Sequence, residues 1–453
     1  MKRTKILATI GPASESEEVL IKMFEAGLDA ARCNFSHGTA EDHRSRVKTI
    51  RKVAKDNGFK VGILGDLQGP KIRIARFKEG KVIVKKGQEF ILDGGMDLES
   101  GDENQVGIDY PSLPDDVDTD DILLLDDGKI VFRVKEVVGK KVICEVTVAG
   151  PLSNNKGINK QGGGLSAKAL TDKDKEDLIT AADIGVNLLA ISFVRNAADM
   201  QEARALLDAQ GAHDIGLIAK IERLEALDHI DEIIEAGDGV MVARGDLAVE
   251  IGPERVPAVQ KHLIKRCRDL NKIVITATQM LESMIDAPAP TRAEVSDVAN
   301  AVLDGTDAVM LSAESATGDY PVEAISTMTK IILATEESPI THQSRHRIDS
   351  QFARADEAIA MATMYTANHF KAKAIIALTE SGASALWMSR IRSNLPIFAL
   401  IRTDMIEGKV NFYRGVIPIS FDCTKMQKEK VNISAVKELE DIGILSKGDF
   451  AIL

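Results

Sequence analysis

The sequence predicts an α/β protein in three parts: a (β/α)8 barrel, a β domain inserted into it, and a C-terminal doubly wound α/β domain. Eight short runs rich in β-branched residues alternate with amphipathic helical patterns. Their spacing breaks once, where about a hundred residues that read as strands and turns intervene, far more than a loop needs. After Glu337 a polar connector leads into a second alternating series. A chain of 453 residues also exceeds what one hydrophobic core supports.

In order, the runs are TKILATI, LDAARCNF, VGILGDL, VNLLAISF, IGLIAKIE, GVMVARGDL, IVITATQM and AVMLSAES. Eight parallel strands joined by helices close a barrel. Helix starts of the Ser/Thr-x-x-acid kind fall at Ser14 with Glu17, Thr39 with Asp42, Thr171 with Asp174 and Thr291 with Glu294. Within the interruption, KVIVKKGQEFIL, DDILLLDDGKIVFRV and KKVICEVTVAG predict a small inserted β-barrel or sandwich, with Gly69-Pro70 and QGGGLS as its hinges. Beyond the connector ESPITHQSRHR come the helix ADEAIAMATMYTANHF, the strand KAIIALTE, the helix SGASALWMSRI and the strand LPIFALI. The expected boundaries are 1–69 and 166–340 for the barrel, 70–165 for the insert and 341–453 for the last domain.

Composition narrows the class of function. An apolar share of 44% with 28% charged residues is that of a globular chain. The net charge of −12 argues against general nucleic-acid binding. The opening MKRTKILATIGP breaks at Gly11-Pro12 and runs into SESEE, which does not read as a signal peptide, and no apolar run is long enough for a membrane span. Cys33, Cys144, Cys267 and Cys423 lack metal or disulfide spacing, so reduced thiols and a cytoplasmic location are expected.

Barrel chemistry sits at the carboxyl ends of the strands. Here those ends carry Arg32 and Asn34 followed by Ser36 and His37, then Asp66, Lys220 with Glu222, Arg244-Gly245-Asp246, Thr278, and Ser312 with Glu314. One such residue reads as a solvated strand end; six strands pointing polar groups at one rim read as a site. Glu222 and Asp246 form a hard-oxygen pair suited to Mg²⁺. Lys220, two residues before Glu222 on the same strand face, would place an ammonium at an enolate or a transferring phosphoryl group. No GxxxxGK[ST] or GxGxxG loop occurs, which leaves Arg32, Arg73 and Lys156 as phosphate partners. Lys156, in the inserted stretch PLSNNKGIN, reads equally as a solvated loop lysine or as a cation delivered by closure of the insert. The pair His342 and His346 reads as surface linker.

Taken together, RCNFSHG, GDLQGPKIR, LLLDDG, SNNKGIN, AKIERLEAL, MVARGDL, ITATQMLESM and PTRAEVSDVANAVLDGTDAVMLSAES resemble the pyruvate kinase family, in order and over nearly the whole chain. The stretch PLSNNKGINKQGGGLSAKAL is most similar to its bacterial type II branch. The resemblance implies the last step of glycolysis: phosphoryl transfer from phosphoenolpyruvate to ADP, giving pyruvate and ATP, in a homotetramer. It implies Glu222 and Asp246 as ligands of Mg²⁺, with Mn²⁺ as an alternative, and Lys220 at the phosphoryl and enolate oxygens. Ala243, Arg244, Gly245 and Asp246 match the turn that holds the substrate carboxylate. Thr278 matches a threonine at the substrate and in the proton relay, with Ser312 and Glu314 behind it. Arg32, Asn34, His37, Arg73 and Lys156 match positions around the phosphates, Arg32 and Arg73 counting with Lys220 and Thr278 as catalytic. The rival readings are another metal-dependent barrel enzyme making pyruvate enolates and a catalytically silent regulatory paralogue. The former would not need ADP-facing cations on a lid.

One variation within the family and two departures from its pattern shape further expectations. Potassium-dependent members carry glutamate where Lys71 stands, and threonine, lysine and threonine at Leu67, Gln68 and Ile74. The four residues here resemble the potassium-independent members, and Lys71, near Asn34, Ser36, Asp66 and Leu67, is expected to supply a tethered monovalent cation so that K⁺ is not required. Ala248 replaces the glycine of RGDLG and is expected to strain a positive φ or a close contact. Thr379, Glu380, Ser381, Gly382 and Ser384 resemble an effector-phosphate loop for AMP or a sugar phosphate. There, Ala383 in place of arginine, and a text ending at GDFAIL before the strand and hairpin that complete the pocket, are expected to weaken control.

Overall fold

The computed structural model describes residues 1–342, 351–352 and 354–453; His346 lies outside the described residues. Strands β1 (Lys5–Thr9), β2 (Ala30–Asn34), β3 (Gly62–Asp66), β4 (Leu188–Ile191), β5 (Gly216–Ile221), β6 (Gly239–Ala243), β7 (Ile273–Ala277) and β8 (Ala308–Leu311) form a closed parallel barrel, with β8 returning to β1 so that Lys5 faces Ala308. The strands are buried runs, broken only at Asn34 and Lys220 near the mouth, as parallel strands covered on both faces require.

Alternation along the strands sorts these residues into two layers. Ile6, Ile63, Leu189, Leu217, Val240, Val274 and Val309 face outward and pack under the helices. Leu7, Ala30, Leu64, Ala190, Ile218, Met241, Ile275 and Met310 face inward, and their cluster runs on into the C-terminal domain. That domain is a parallel four-stranded sheet in the order Val416–Ser420, Ile397–Ile401, Ala374–Leu378, Ala451–Ile452. Helices Ala355–His369 and Ala383–Ser389 cover one face and Lys428–Asp441 the other. Arg390 crosses to the barrel and pairs with Asp307, both 1% exposed. Removing one partner of such a buried pair costs about 3–5 kcal/mol, because the other charge is left alone.

Capping boxes form at Thr39, Thr171 and Thr291, each with its acid three residues on. At the first helix the cap is Ser16, whose side chain accepts from the Val19 N–H. Ser14, the expected cap, is instead buried and hydrogen-bonded to Gly11. Ala248 lies inside helix Arg244–Ile251 and is not among the positive-φ residues. Alanine favours that backbone over glycine, so a strained positive φ does not arise.

Between β3 and β4 the chain builds a curled sheet of its own. Six strands run in the order Ile158–Lys160, Ile122–Leu125, Ile130–Val138, Lys141–Val148, Glu89–Asp93, Gln105–Gly107. A two-stranded ribbon, Lys81–Val84 with Gly150–Ser153, shares their core through Val84 and Leu152 beside Phe90, Phe132 and Cys144. Its connections to the barrel need glycine. Gly69 has φ 68°, and a Cβ there would lie 2.6 Å from the Ser192 Cβ; Gly162, Gly163 and Gly164 all have positive φ.

Candidate active site

The inward face of each strand ends in one more residue two positions beyond the apolar layer, and these top-layer residues make the site. Leu7 leads to Thr9, Ala30 to Arg32, Leu64 to Asp66, Ala190 to Ser192, Ile218 to Lys220, Met241 to Ala243, Ile275 to Ala277 and Met310 to Ser312. The resulting network is tight. Lys220 Nζ donates to Ser192 Oγ at 2.7 Å and lies 3.1 Å from Glu222 Oε1 and 3.3 Å from Asp66 Oδ1. Arg32 donates from Nε to Asp66 at 2.6 Å and from Nη1 to Thr9 Oγ1 at 2.9 Å. Ser192 donates onward to the Leu67 carbonyl at 2.7 Å, and Thr9 to the Leu311 carbonyl at 3.0 Å. Each cation is thus braced by a carboxylate and by a buried hydroxyl fixed to backbone.

Electrostatics follow from the burial of these groups. Burial acts to lower the Lys220 pKa, but Asp66 and Glu222 outweigh it and hold the amine above the ordinary lysine value. Burial acts to raise Asp66, and Lys220 with Arg32 pull its carboxyl below the usual range. Glu222 goes the other way: burial, with the Asp246 charge behind it, raises its carboxyl against the pull of Lys220. Glu222 also accepts from the Phe193 N–H at 2.8 Å. A Glu222 carboxyl so raised, with Asp246 near it, makes a donor set fitted to a hard divalent cation. Among the described residues, no third His, Cys, Asp or Glu joins them as a metal cluster.

Lys71 reaches from the start of the insert to the barrel rim, its Nζ 3.0 Å from Asp246 Oδ1. Burial lowers its pKa, and Asp246, Asp127 and Glu222 more than compensate, so the ammonium is held. Leu67 is 1% exposed in the outer core. Thr278 and Gln279 carry left-handed backbones, φ 66° and 54°, which cost on the order of 1–3 kcal/mol each and persist where surroundings impose them. Thr278 Oγ1 accepts from the Gly245 N–H at 2.9 Å and donates to the Ala277 carbonyl at 2.6 Å, tying β7 to the Ala243–Asp246 turn.

Several expected residues stand differently. The Arg244 side chain is buried away in bonds to Asp297 (2.6 Å) and the Thr278 carbonyl (2.6 Å), so only its backbone belongs to the turn. Glu314 is buried and accepts from the Ser312 and Leu281 N–H groups at 2.7 and 3.3 Å, which makes it a holder of loops. Asn34 accepts from the Ser36 N–H at 3.1 Å, and the His37 N–H donates to the Asn34 carbonyl at 3.3 Å, which shapes the turn after β2. On the insert, Arg73 donates to the Asn155 carbonyl at 3.4 Å and Lys156 pairs with Asp126 at 2.8 Å. In the C-terminal loop, Thr379 accepts from the Gly382 N–H at 3.0 Å and Ser381 from the Ala383 N–H at 3.4 Å. Glu380 pairs with Arg402 at 3.1 Å, and Ser384 lies in the short helix Ala383–Ser389. Thr9 and Ser192 were missed as site residues, although the strand period that marks Arg32 and Lys220 marks them too.

One buried acid below the hinge has a testable titration. Glu250 accepts from the Leu224 N–H at 2.8 Å, while its own carbonyl takes the Gly162 N–H at 3.3 Å. Burial pushes its carboxyl up to about 7, with Glu225 and Asp246 adding to the rise. The folded state therefore holds a proton that the unfolded chain releases near its ordinary 4.5, and this stabilisation is lost as pH rises through about 7. Glu250→Gln is expected to raise the thermal unfolding midpoint at pH 8 and to leave it nearly unchanged at pH 5. Equal shifts at both pH values would contradict this.

Lys220 and Arg32 buried at the barrel mouth, with Lys71 at its rim and the carboxylates of Glu222 and Asp246 among them, define the class: a metal-assisted barrel enzyme that handles anionic, phosphate-bearing substrates. The family model described as pyruvate kinase, barrel domain, matches residues 1–325, and that of the pyruvate kinase alpha/beta domain matches residues 357–453. Pyruvate kinase II of Salmonella typhimurium is 54% identical over all of this chain and 95% of its own length. Pyruvate kinases of Haemophilus influenzae (51%, with 100% of this chain and 95% of its own) and Clostridium perfringens (42%, with 92% and 88%) are similar as well. The chain belongs to the pyruvate kinase family, and it is a phosphotransferase of that type with the family's dependence on a divalent metal ion. Among the described residues, no helix is long and apolar enough to cross a membrane.

Proposed function

We propose that the barrel mouth transfers the phosphoryl group of phosphoenolpyruvate to ADP with Lys220 as the cation at the transferring group. The observation that carries this is the placement of its Nζ among Ser192, Glu222 and Asp66, at 2.7, 3.1 and 3.3 Å. Phosphoryl transfer asks for alignment and positive charge more than for a covalent nucleophile. Lys220 and Arg32, braced from below, supply charge that does not reorganise as the reaction proceeds. The backbone from Ala243 to Asp246, at a helix N-terminus, suits the substrate carboxylate. Thr278, fixed to that turn, orients the water that returns a proton to the enolate, with Ser312 nearby. Glu222 and Asp246 would hold Mg²⁺, or Mn²⁺ in its place, which when bound supplies charge that neutralises and aligns phosphate oxygens.

Asn34, His37, Arg73 and Lys156 are assigned to the ADP phosphates. Lys156 pairs with Asp126 of the same insert, and nucleotide phosphates would compete with that carboxylate for the lysine as the insert closes. Lys156→Ala is expected to lower kcat/KM for ADP roughly 10- to 100-fold, the loss of one charge-assisted contact of about 1.5–3 kcal/mol. A coupled assay with phosphoenolpyruvate, ADP and Mg²⁺ reads it, and an unchanged value would remove Lys156 from the nucleotide site.

Independence from K⁺ rests on Lys71. Its ammonium at the rim, and a Leu67 whose side chain is in the core and whose carbonyl already accepts from Ser192, support a fixed cation in place of an exchangeable one. AMP or a sugar phosphate at Thr379–Ser384, a cytoplasmic location and a homotetramer are carried by the family resemblance.

A further inference from the structure

Charge that the reaction does not use gathers where the barrel meets the C-terminal domain. Arg3, Arg268, Arg390 and Arg414 gather there about Asp307 and Glu336, with Arg392 beside them and Asp304 as its acid. A chain with net charge −12 thus holds a local surplus of guanidinium groups in a dry junction. Arg390 is satisfied by Asp307, Arg3 by Glu336 together with the Thr341 and Ser393 carbonyls, and Arg268 donates to the Arg390 carbonyl. Arg414 Nη1 donates to the Val302 carbonyl at 3.1 Å, and Arg392 donates to the Ile340 carbonyl at 2.7 Å and to the Leu303 carbonyl, so that two single N–H groups are left over. Arg414 is 7% exposed, and its Nη2 is buried without a hydrogen-bond partner, 3.5 Å from Glu336 Oε1 but misaligned with it. Arg392 Nε is likewise buried and unpartnered.

Both arginines line one small cavity of about 20 Å³, bounded also by Arg3, Thr341, Ser389 and Ser393. Among the described residues, no carboxylate lines it. That space admits a water-sized particle. Water would fill the space and leave the charge uncompensated, whereas a monatomic anion answers both. Burial, then the crowding of Arg392, Arg390 and Arg414, lowers Arg268 to about 9, which agrees with an uncompensated surplus. A surface hollow that shares Ser393 and Leu395 with the cavity offers a way in.

We propose that this cavity is a halide site, filled by chloride, that joins Arg3 of the barrel to Arg392 and Arg414 of the C-terminal domain. Crystals of the unmutated protein grown in sodium bromide are expected to show one anomalous-scattering peak in the cavity, in contact with Arg414 Nη2. No peak there overturns the proposal. In solution at constant ionic strength, exchanging sodium gluconate for sodium chloride is expected to raise the unfolding midpoint by roughly 1–3 °C and to saturate. Arg414→Gln, or Arg392→Gln should the first variant not fold, is expected to abolish that rise. A rise of the same size in the variant means that chloride acts elsewhere, and overturns the site.

Discussion

Lys220→Met is expected to lower the rate of phosphoryl transfer by about 10³-fold or more, the scale at which one preorganised charge acts on a transition state. The substitution keeps the length and apolar stem of the side chain and removes only the ammonium. Its direct partners are the Ser192 hydroxyl and the Asp66 and Glu222 carboxylates. Arg32 still neutralises Asp66, so the mouth keeps one of its two braced cations. Glu222 loses the charge that pulled its pKa down, while its bond from the Phe193 N–H remains. Mn²⁺ binding to the variant, followed by electron paramagnetic resonance, is therefore expected to persist. Proton exchange on the methyl group of pyruvate is a separable step and is expected to survive in part. Near-normal turnover would remove Lys220 from the transferring group, and lost metal binding would mean that its role is to organise the carboxylates.

Lys71→Glu is expected to lose on the order of 10²-fold in activity without K⁺ and to regain part of it when K⁺ is added. The lysine stands 3.0 Å from Asp246, and its raised pKa keeps it charged at any working pH. Glutamate there puts a third carboxylate beside Glu222 and Asp246, which demands a counter-ion. Leu67 limits the rescue, because its side chain points into the core and offers K⁺ no oxygen. A variant as inactive with K⁺ as without it, yet folded and Mn²⁺-binding, would show that the two positions are not exchangeable.

Much of this site was legible in the sequence because barrel physics is periodic. Arg32, Asp66 and Lys220 could be read from strand ends once the strands were found, and the lone break in spacing exposed the insert. What escaped notice was small or internal to the fold. Ser192 and Thr9 are single hydroxyls that carry no motif, and their importance appears only when their second bonds, to the Leu67 and Leu311 carbonyls, are seen. Arg244 and Glu314 have side-chain partners that strand ends do not reveal. Both sit at strand ends and are charged, but Asp297 captures the first and backbone N–H groups capture the second. The cap at Ser16 rather than Ser14 is a choice between two serines that local chemistry does not distinguish, decided by the burial of Ser14 against Gly11. Ala248 was judged by the family's glycine, when its helix has no use for one.

The claim that a tethered ammonium completes the cationic mouth is tested most directly by the monovalent-cation dependence of the unmutated protein. Initial rates with potassium-free phosphoenolpyruvate, ADP and MgCl₂ are compared in tetramethylammonium chloride and in potassium chloride at equal ionic strength. The two rates are expected to agree within about twofold, since a covalently held cation needs no filling by mass action. A stimulation by K⁺ of about tenfold or more would contradict the account, because it would mean that a site still empties when the ion is withdrawn.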